Sequence, residues 1–498
     1  ARGSEATYVD AQGLIQSTNV LGSELVLNGS FDTDTDWTLG AGVTISGGEA
    51  NWTNTINNVG VTQSGIMTSG KNYKVVFTVS NYSSGSVRLR FPSITERVTS
   101  NGTYTYYINA TDTNLYIQGE TNGDANVNFS IDNVSVKEHI TATNTPRLDY
   151  STGAEAFLLE PQSTNLIAQS ETFNDAYWTK SGTSITPNAT TSPDGTTNAD
   201  NLVEDSANSQ HYLQRNFTST TGSSYTYKIY VKRNGRRNIS LRENGSTGYY
   251  VSFDLLNGVI LEQSNATGTI KELTNGWFEI THTSVAGNSF NVAYYLLSDS
   301  YTSGNPQTSP YQGDGVSGFY IWGAMLEQQS YATSYIKSEG SQTTRNQETC
   351  INATPEINSE EGTLYTEISA LADDGTNRVI SLSDNTSSNR VLLLFKNTTN
   401  TIRGQFSVNG QSSITIDTLV VPTDFNKIAF KWNSTSVKLY VNGIEIATTL
   451  TGYTFAASTL NELSFDNVSG GNFFGNTKDV QVYTKALSDA ELIKLTTI

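Results

Sequence analysis

The sequence predicts an all-β protein: three β-sandwich (jelly-roll) domains in tandem, the first inserted into an N-terminal scaffold segment, with one short helix at the C-terminal end. Three observations carry this expectation. The composition is rich in Thr, Ser, Asn and Gly, with 41 Gly and 26 Tyr, and poor in the helix formers Ala, Leu, Lys and Glu. Short runs in which apolar and polar residues alternate recur along the whole chain, bounded by Asn, Gly, Ser or Asp, the pattern of half-buried antiparallel strands. The length of 498 residues exceeds one core at roughly 100 to 200 residues per domain, so about three cores are expected.

Taken in order, the strand signals are YKVVFTVSNY at 73–82, SVRLRF at 86–91, YTYKIYVKR at 225–233, FEITHTSV at 278–285, KIAFKWN at 427–433 and SVKLYVNGIEIATT at 436–449. In the last, Asn442-Gly443 stands between two alternating runs and predicts a two-residue hairpin, because a type I′ turn needs positive φ at both central positions. The one convincing helix is SDAELIKL at 488–495, with Ser488 as N-cap, Glu491 completing a capping box, and Leu492 and Leu495 on one apolar face.

A weak internal repeat organises the first two sandwiches. GSFDTDTDWT (29–38) and ETFNDAYWTK (171–180) both place Phe five or six residues before Trp, and FSIDNVSVKE (129–138) and GFYIWGAMLEQ (318–328) are closing strands that end near an acid. So long a period is domain duplication, not a solenoid. The expected boundaries are a scaffold segment at 1–20, the inserted sandwich at 21–138, an ordered joint at 139–165, a second sandwich at 166–338, a linker at 339–356 and a third sandwich at 357–498. Lifting out 21–138 joins ATYVDAQGLIQSTN to ATNTPRLDYSTG as one continuous segment, hence the insertion. The stretch 146–180, which runs from this joint into the second sandwich, is too apolar for a free linker, with Phe157, Leu158, Leu159, Leu166 and Ile167, and too poor in ionisable groups for an active site, so it is expected to pack as an ordered joint; Pro161 ends its AFLL strand.

The formal net charge of −18 excludes nucleic acid as a partner, since phosphate contact needs clustered Lys and Arg. The basic run KRNGRR at 232–237 reads as a solvated hairpin turn. The single cysteine, Cys350, excludes an intrachain disulfide, and no Cys/His spacing proposes zinc. No apolar run approaches the roughly 18 residues of a membrane span. The chain opens on ARGSEATYVD without Met, as expected of a processed chain or of a piece of something longer. Sequons such as NWT at 51 arise by chance in so Asn-, Ser- and Thr-rich a sequence.

Several motifs resemble a known vocabulary. ATYVDAQGLIQ, TPRLDYSTG, LLEPQSTNLI, SETFNDAYWTK, SPDGTTNADNL, GFYIWGAMLEQQSYATSYI and TTRNQETC resemble, in the same order, segments of tail-fibre and other virion appendage proteins of bacteriophages, over residues 1–20 and 140–350. SEEGTLYTEISAL, KIAFKWNSTSVKLYVNGIEI and KDVQVYTKALSDAELIKL are similar to a concanavalin A-like (laminin G-like) jelly roll. The stretch from LVLNGSFDTDTDWT to SIDNVSVKE is similar to carbohydrate-binding modules of the galactose-binding-like type. The resemblance implies a non-enzymatic fibre or receptor-binding protein on the virion surface, extracellular, a homotrimer in contact with other virion proteins, which attaches to a host cell-surface glycan. Its rivals are a structural head-fibre or capsid decoration protein, and a secreted bacterial polysaccharide-binding or polysaccharide-degrading protein.

The candidate chemistry follows. A hydrolase of lectin-like fold needs two carboxylates flanking the scissile bond. SEEG (359–362) and ADDG (372–375) are adjacent acids bounded by Gly, which point to opposite faces of a strand and read as turn residues. His139, His211 and His282 have no triad or metal spacing and read as structural. No catalytic residue is expected. For the inserted sandwich the resemblance implies a structural calcium, with Asp132 on the closing strand and Asn28 near the first strand as ligands; the alternative is that Asp132 caps a turn. DTDTD at 32–36 lacks the Gly and distal Glu of an EF-hand and reads as a solvated loop. Sugar binding needs exposed aromatic faces, and the candidates are Trp52, Tyr82, Tyr104, Tyr106 and Tyr116. Alternation puts Tyr104 and Tyr106 on one face, both core or both exposed, with core favoured. Trp52 is the first choice for a ligand contact.

Overall fold

The computed structural model describes residues 4–91, 97–140, 146–243, 248–287, 289–468 and 470–498. The chain is all-β, as expected, and divides into two compact units, Asn19–Ala142 and Ala1–Thr18 with Thr143–Ile498. Each is described by itself. Residues 141–145, within the segment expected as a joint, lie outside the described residues.

The unit Asn19–Ala142 is a sandwich of two antiparallel sheets. One runs Gly102–Asn109, Asn72–Ser84, Val127–Ile140, Glu49–Thr55, Val43–Ser46, with Val20–Glu24 added along Val127–Ile140. The other runs Thr38–Leu39, Val59–Gln63, Leu115–Glu120, Ser86–Leu89. Period-2 alternation decides which side chains enter: along Asn72–Ser84, Tyr73, Val75, Phe77 and Val79 are buried while Lys74, Val76, Thr78 and Ser80 between them are only partly so.

The larger unit holds two further sandwiches. The sheets of the first are Thr179–Ser181, His211–Thr218, Ser289–Leu297, Asn238–Glu243, Tyr250–Asp254, Val259–Ser264 and Thr183–Thr190, Ala199–Glu204, Gly318–Glu327, Ser224–Asn234, Trp277–Val285, Ile270–Glu272. Their shared core includes Trp178, Tyr227, Ile229, Leu241, Phe253 and Tyr294.

In the second, a five-stranded sheet of Ile414–Leu419, Thr401–Ser407, Arg390–Phe395, Arg378–Ser383, Glu462–Ser464 faces a seven-stranded one. The latter begins with Leu148–Asp149 and Ala156–Leu159 and continues through Gly475–Tyr483, Gly362–Ala370, Asn426–Trp432, Ser436–Val441 and Ile444–Leu450. Asn442 and Gly443 make its hairpin with φ of 50° and 83°, the left-handed pair that the turn requires. The helix Asp489–Thr496 is capped as the sequence predicts: Ser488 N donates to Glu491 Oε2 at 2.8 Å and Glu491 N to Ser488 Oγ at 3.4 Å.

The joint carries more structure than a joint needs. Ala156–Leu159 pairs with Gly475–Tyr483, so Leu159 is part of the core of the last sandwich. The stretch expected as a linker contributes the strand Thr343–Arg345, paired with Ser163–Asn165. Between them lies a buried ionic network. Arg147 Nη2 donates to Glu160 Oε2 at 2.9 Å and Arg147 Nε to Glu348 Oε1 at 2.8 Å. Arg345 Nη1 lies 2.8 Å from the same Glu160 oxygen, and Ser334 Oγ donates to it at 2.6 Å. Arg147 Nη1 also donates to Thr7 O at 2.7 Å, which ties in the N-terminal segment. Buried ions are tolerated only when paired and hydrogen-bonded throughout, and here the two guanidiniums hold the Glu160 carboxyl at about 2 against the upward push of its burial.

Candidate functional site

Four of the five aromatic candidates are spent on packing. Trp52 is 2% exposed, stacks on Phe129 at 4.7 Å between centroids, and donates its Nε1–H to Val59 O at 2.9 Å. The expectation of a ligand contact there is corrected: Ala50 and Trp52 share the inward face of Glu49–Thr55, and Gly119 makes room for the indole, since a Cβ there would stand 3.0 Å from Trp52 Cδ1. Tyr106 is buried and stacks on Phe77 at 5.8 Å. Tyr104 packs on the same core and donates its hydroxyl to Ser100 O at 3.0 Å, so the pair takes the core alternative. Tyr82 is half-buried, with its hydroxyl given to Gly85 O at 2.6 Å.

Tyr116 is different. It lies half-exposed in Leu115–Glu120, on the outer face of the four-stranded sheet. The Arg90 guanidinium lies over its ring at 5.1 Å from the centroid, and Asn114 Nδ2 donates to its hydroxyl at 3.0 Å. Cross-strand register sets Thr62 beside it, and Gln118, two residues on, faces Gly60 on one side and Arg88 on the other. Gly60 is required: a Cβ would stand 2.2 Å from Ile117 O, and its absence leaves the sheet flat beside Gln118. At the end of the row, Arg88 Nη1 and Arg97 Nε grip Glu120 at 2.7 and 2.5 Å. Burial pushes that carboxyl up, but the two guanidiniums outweigh it and hold it below its ordinary value. An aromatic ring, a guanidinium and an amide on one flat face can stack a pyranose ring and read its hydroxyls. The sequence signal was the alternation of Arg88 and Arg90 in SVRLRF against Tyr116, Gln118 and Glu120 in LYIQGE.

The calcium pair does not fit a metal site. Asn28 uses its amide on its own loop, donating to Thr33 O at 2.7 Å and Thr35 O at 3.0 Å, while its Oδ1 accepts from Thr33 N at 3.4 Å. Both Asp132 oxygens accept from Asn133, which is the turn-capping alternative. Among the described residues no group of three His, Cys, Asp or Glu side chains could hold a metal ion.

The remaining expectations divide. His211 is buried, with Nδ1 at 2.8 Å from Gly182 O, and His282 is buried against Tyr227 at 4.3 Å, where loss of water pushes its imidazole down to about 3. His139 meets Tyr107 edge-on at 4.9 Å. In ADDG, Asp374 and Asp373 order turns through Thr376 N and Asn400 N. The basic run is not a solvated turn throughout: Arg236 Nε donates to Glu204 Oε2 at 2.8 Å and Arg237 Nε to Asp254 Oδ1 at 3.1 Å, because both acids sit on strands beside it. One acid pair escaped linear reading. Glu367 and Asp479 stand directly opposite on paired strands, in a cavity of about 450 Å3 shared with Tyr365, Tyr483 and Lys427.

Residues 342–493 match the concanavalin A-like lectin/glucanases superfamily. This lectin-like sandwich closes the chain. No curated protein matches. Among solved structures, the CBM40 module of Ruminococcus gnavus IT-sialidase bound to α2,3-sialyllactose is 21% identical, over 28% of this chain and 83% of that one, with a TM-score of 0.25. The tandem CBM22 domains of Paenibacillus barcinonensis Xyn10C are 13% identical, over 62% and 98%, with a TM-score of 0.22. Domains LG4-5 of the mouse laminin α1 chain are 11% identical, over 57% and 90%, with a TM-score of 0.21. At these scores the likenesses bear on neither ligand nor reaction.

Proposed function

We propose that the protein is a non-enzymatic fibre or receptor-binding protein of a phage virion that attaches to host surface polysaccharide. The observation that carries glycan binding is the Tyr116 face: a half-exposed ring with Arg90 over it and Gln118 and Arg88 beside it, on a rigid sheet. The lectin-like sandwich at 342–493 supports it. The virion surface, the homotrimer and the neighbouring virion proteins rest on the motifs of residues 1–20 and 140–350. Several weak sites on one particle would multiply through effective concentration, so no single site has to be tight. Binding of the full chain to a glycan array, with Tyr116→Ala and Arg90→Ala as controls, tests this: each substitution is expected to lower the signal at least tenfold. A wild-type chain that binds no glycan overturns it.

A second reading, hydrolysis, is favoured by Glu367 opposite Asp479 alone. Directly opposed residues share one face of the sheet with Cβ atoms roughly 5 Å apart, which lets both carboxyls face a glycosidic bond lying across the strands. Release of reducing ends from a polysaccharide, abolished by Glu367→Gln, would establish it over the non-enzymatic reading.

A further inference from the structure

The larger unit contains an open cleft of about 510 Å3, lined by Ser224, Gln328, Tyr331, Arg378, Thr376 and Phe474, among others. The volume lies within the roughly 300 to 1,000 Å3 of small-ligand sites. Its chemistry is mixed in a particular way. Tyr331 and Phe474, both half-buried, offer ring surface; Gln328 and Ser330 are exposed on the segment that follows Gly318–Glu327, and Ser223 and Ser224 lie partly exposed opposite.

At the floor, Arg378 is 2% exposed and donates through Nη1 to Asp374 Oδ1 at 2.9 Å and to Thr376 O at 3.2 Å. Its Nε–H, fully buried, has no hydrogen-bond partner among the described residues. The phenol of Tyr331 stands in the same corner, pushed up to about 12 by burial against the pull of the Arg378 guanidinium, and is therefore a neutral donor at physiological pH.

We propose that this cleft binds a short neutral oligosaccharide, through ring stacking on Tyr331 and Phe474 and hydroxyl contacts to Gln328 and the Ser223–Ser224 hydroxyls. The inference rests on the reading of the protein as a glycan binder and adds to it a second site and a ligand class. Neutrality follows from the charges: Arg378 and Asp374 compensate one another, and no other ionisable side chain than Tyr331 lines the cleft. The abundance of amide and hydroxyl donors suits a sugar better than an apolar ligand. The more enclosed cavity of the same unit, about 160 Å3, is a weaker candidate because its ions are already satisfied: Lys228 donates to Thr333 O at 2.6 Å and lies 3.4 Å from Glu279, and Glu160 is held by Arg147 and Arg345.

The test uses the full chain with neutral trisaccharides of gluco, manno and galacto configuration, read by saturation-transfer NMR and titration calorimetry. At least one trisaccharide is expected to bind, with affinity at least tenfold lower in Tyr331→Ala. Arg378 is left intact because its ion pair with Asp374 is buried. Gln328→Trp, at an exposed position, fills the cleft without removing a packed group and is expected to abolish binding even if Tyr331→Ala folds poorly. Trisaccharide binding that survives Gln328→Trp and disappears in Tyr116→Ala overturns the cleft and leaves the glycan reading standing. A wild-type chain that binds no trisaccharide but does bind arrayed glycans also overturns the cleft alone; binding of neither overturns both.

Discussion

The two Phe–Trp openings, one in each unit, are built the same way. Phe31 and Trp37 lie 5.0 Å apart at 35°, and Phe173 and Trp178 lie 5.3 Å apart at 36°. In both, the indole Nε1–H is given to a carbonyl nine residues upstream, Trp37 to Asn28 O and Trp178 to Gln169 O, each at 3.0 Å. They differ in what surrounds the clamp. Around Trp37 the loop acids Asp32, Asp34 and Asp36 are all exposed. Around Trp178, Tyr177 and Tyr294 add ring contacts, and the buried Asp200 accepts from Phe173 N at 3.0 Å and from Asn188 N at 3.0 Å. One device thus serves two cores: once beneath an exposed acidic loop, the rim copy, and once beside a buried carboxylate, the deep copy.

The largest effect that separates them is on stability. Deleting a buried Trp costs about 3–5 kcal/mol. Trp178→Ala is expected at the upper end of that range and Trp37→Ala at the lower, because Trp178 packs on three rings and Trp37 on one. Urea unfolding followed by far-UV circular dichroism measures both. Equal losses would mean that the clamp itself, not its surroundings, sets the energy.

The next effect is of pH. Burial pushes the Asp200 carboxyl up to about 6 from its ordinary 3.8, although the two backbone N–H groups pull it down. Between those values the folded chain keeps a proton that the unfolded chain has lost. The stability this group contributes is therefore full below about pH 3.8 and is lost as the pH rises through about 6. At 1.36 kcal/mol for each pH unit the change is on the order of 3 kcal/mol. Other carboxyls titrate in the same window, so the measurement is a difference: Asp200→Asn should flatten the fall in stability between pH 4 and 6 relative to wild type. Identical slopes would show that Asp200 titrates at its ordinary value in the folded chain.

Much of this was legible in the sequence, and the rest was hidden for stated reasons. Local signals were enough wherever a few neighbouring residues decide the geometry: the alternating strands, the Asn442-Gly443 hairpin, the Ser488–Glu491 box and the repeated Phe–Trp spacing. They failed wherever the partner is remote. Trp52 faces inward because of its register against Phe129, 77 residues on, and nothing near NWT announces it. Arg147 meets Glu348 across 201 residues, so the ion pair that ties the joint to the stretch expected as a linker had no local signal. The Tyr116 face needed two strands to be laid side by side before Arg88, Arg90 and Gln118 became one surface. Glu367 and Asp479 were missed in the same way, since a cross-strand pair has no linear spacing.

The smallest effect lies at the rim copy, in Asn28. Its φ of 51° is left-handed, which costs a residue with a Cβ and no local hydrogen bond about 1–2 kcal/mol. Its amide at the same time fixes Thr33 and Thr35, which shapes the DTDTD loop. Asn28→Gly relieves the backbone but releases the loop, and Asn28→Ala does neither favourably. The expected order of stability is wild type, then Gly, then Ala, within about 2 kcal/mol in all. If instead Asn28 and Asp132 held calcium, both variants would lose a calcium-dependent rise in the melting temperature. The side chains are already engaged by their own loops, so the melting temperature of the wild type is expected to be the same in EDTA and in millimolar calcium. A rise with calcium that Asn28→Gly removes would show that the loop opens its amide oxygen to a metal after all, and that the rim copy of the clamp, not the deep one, carries the ligand.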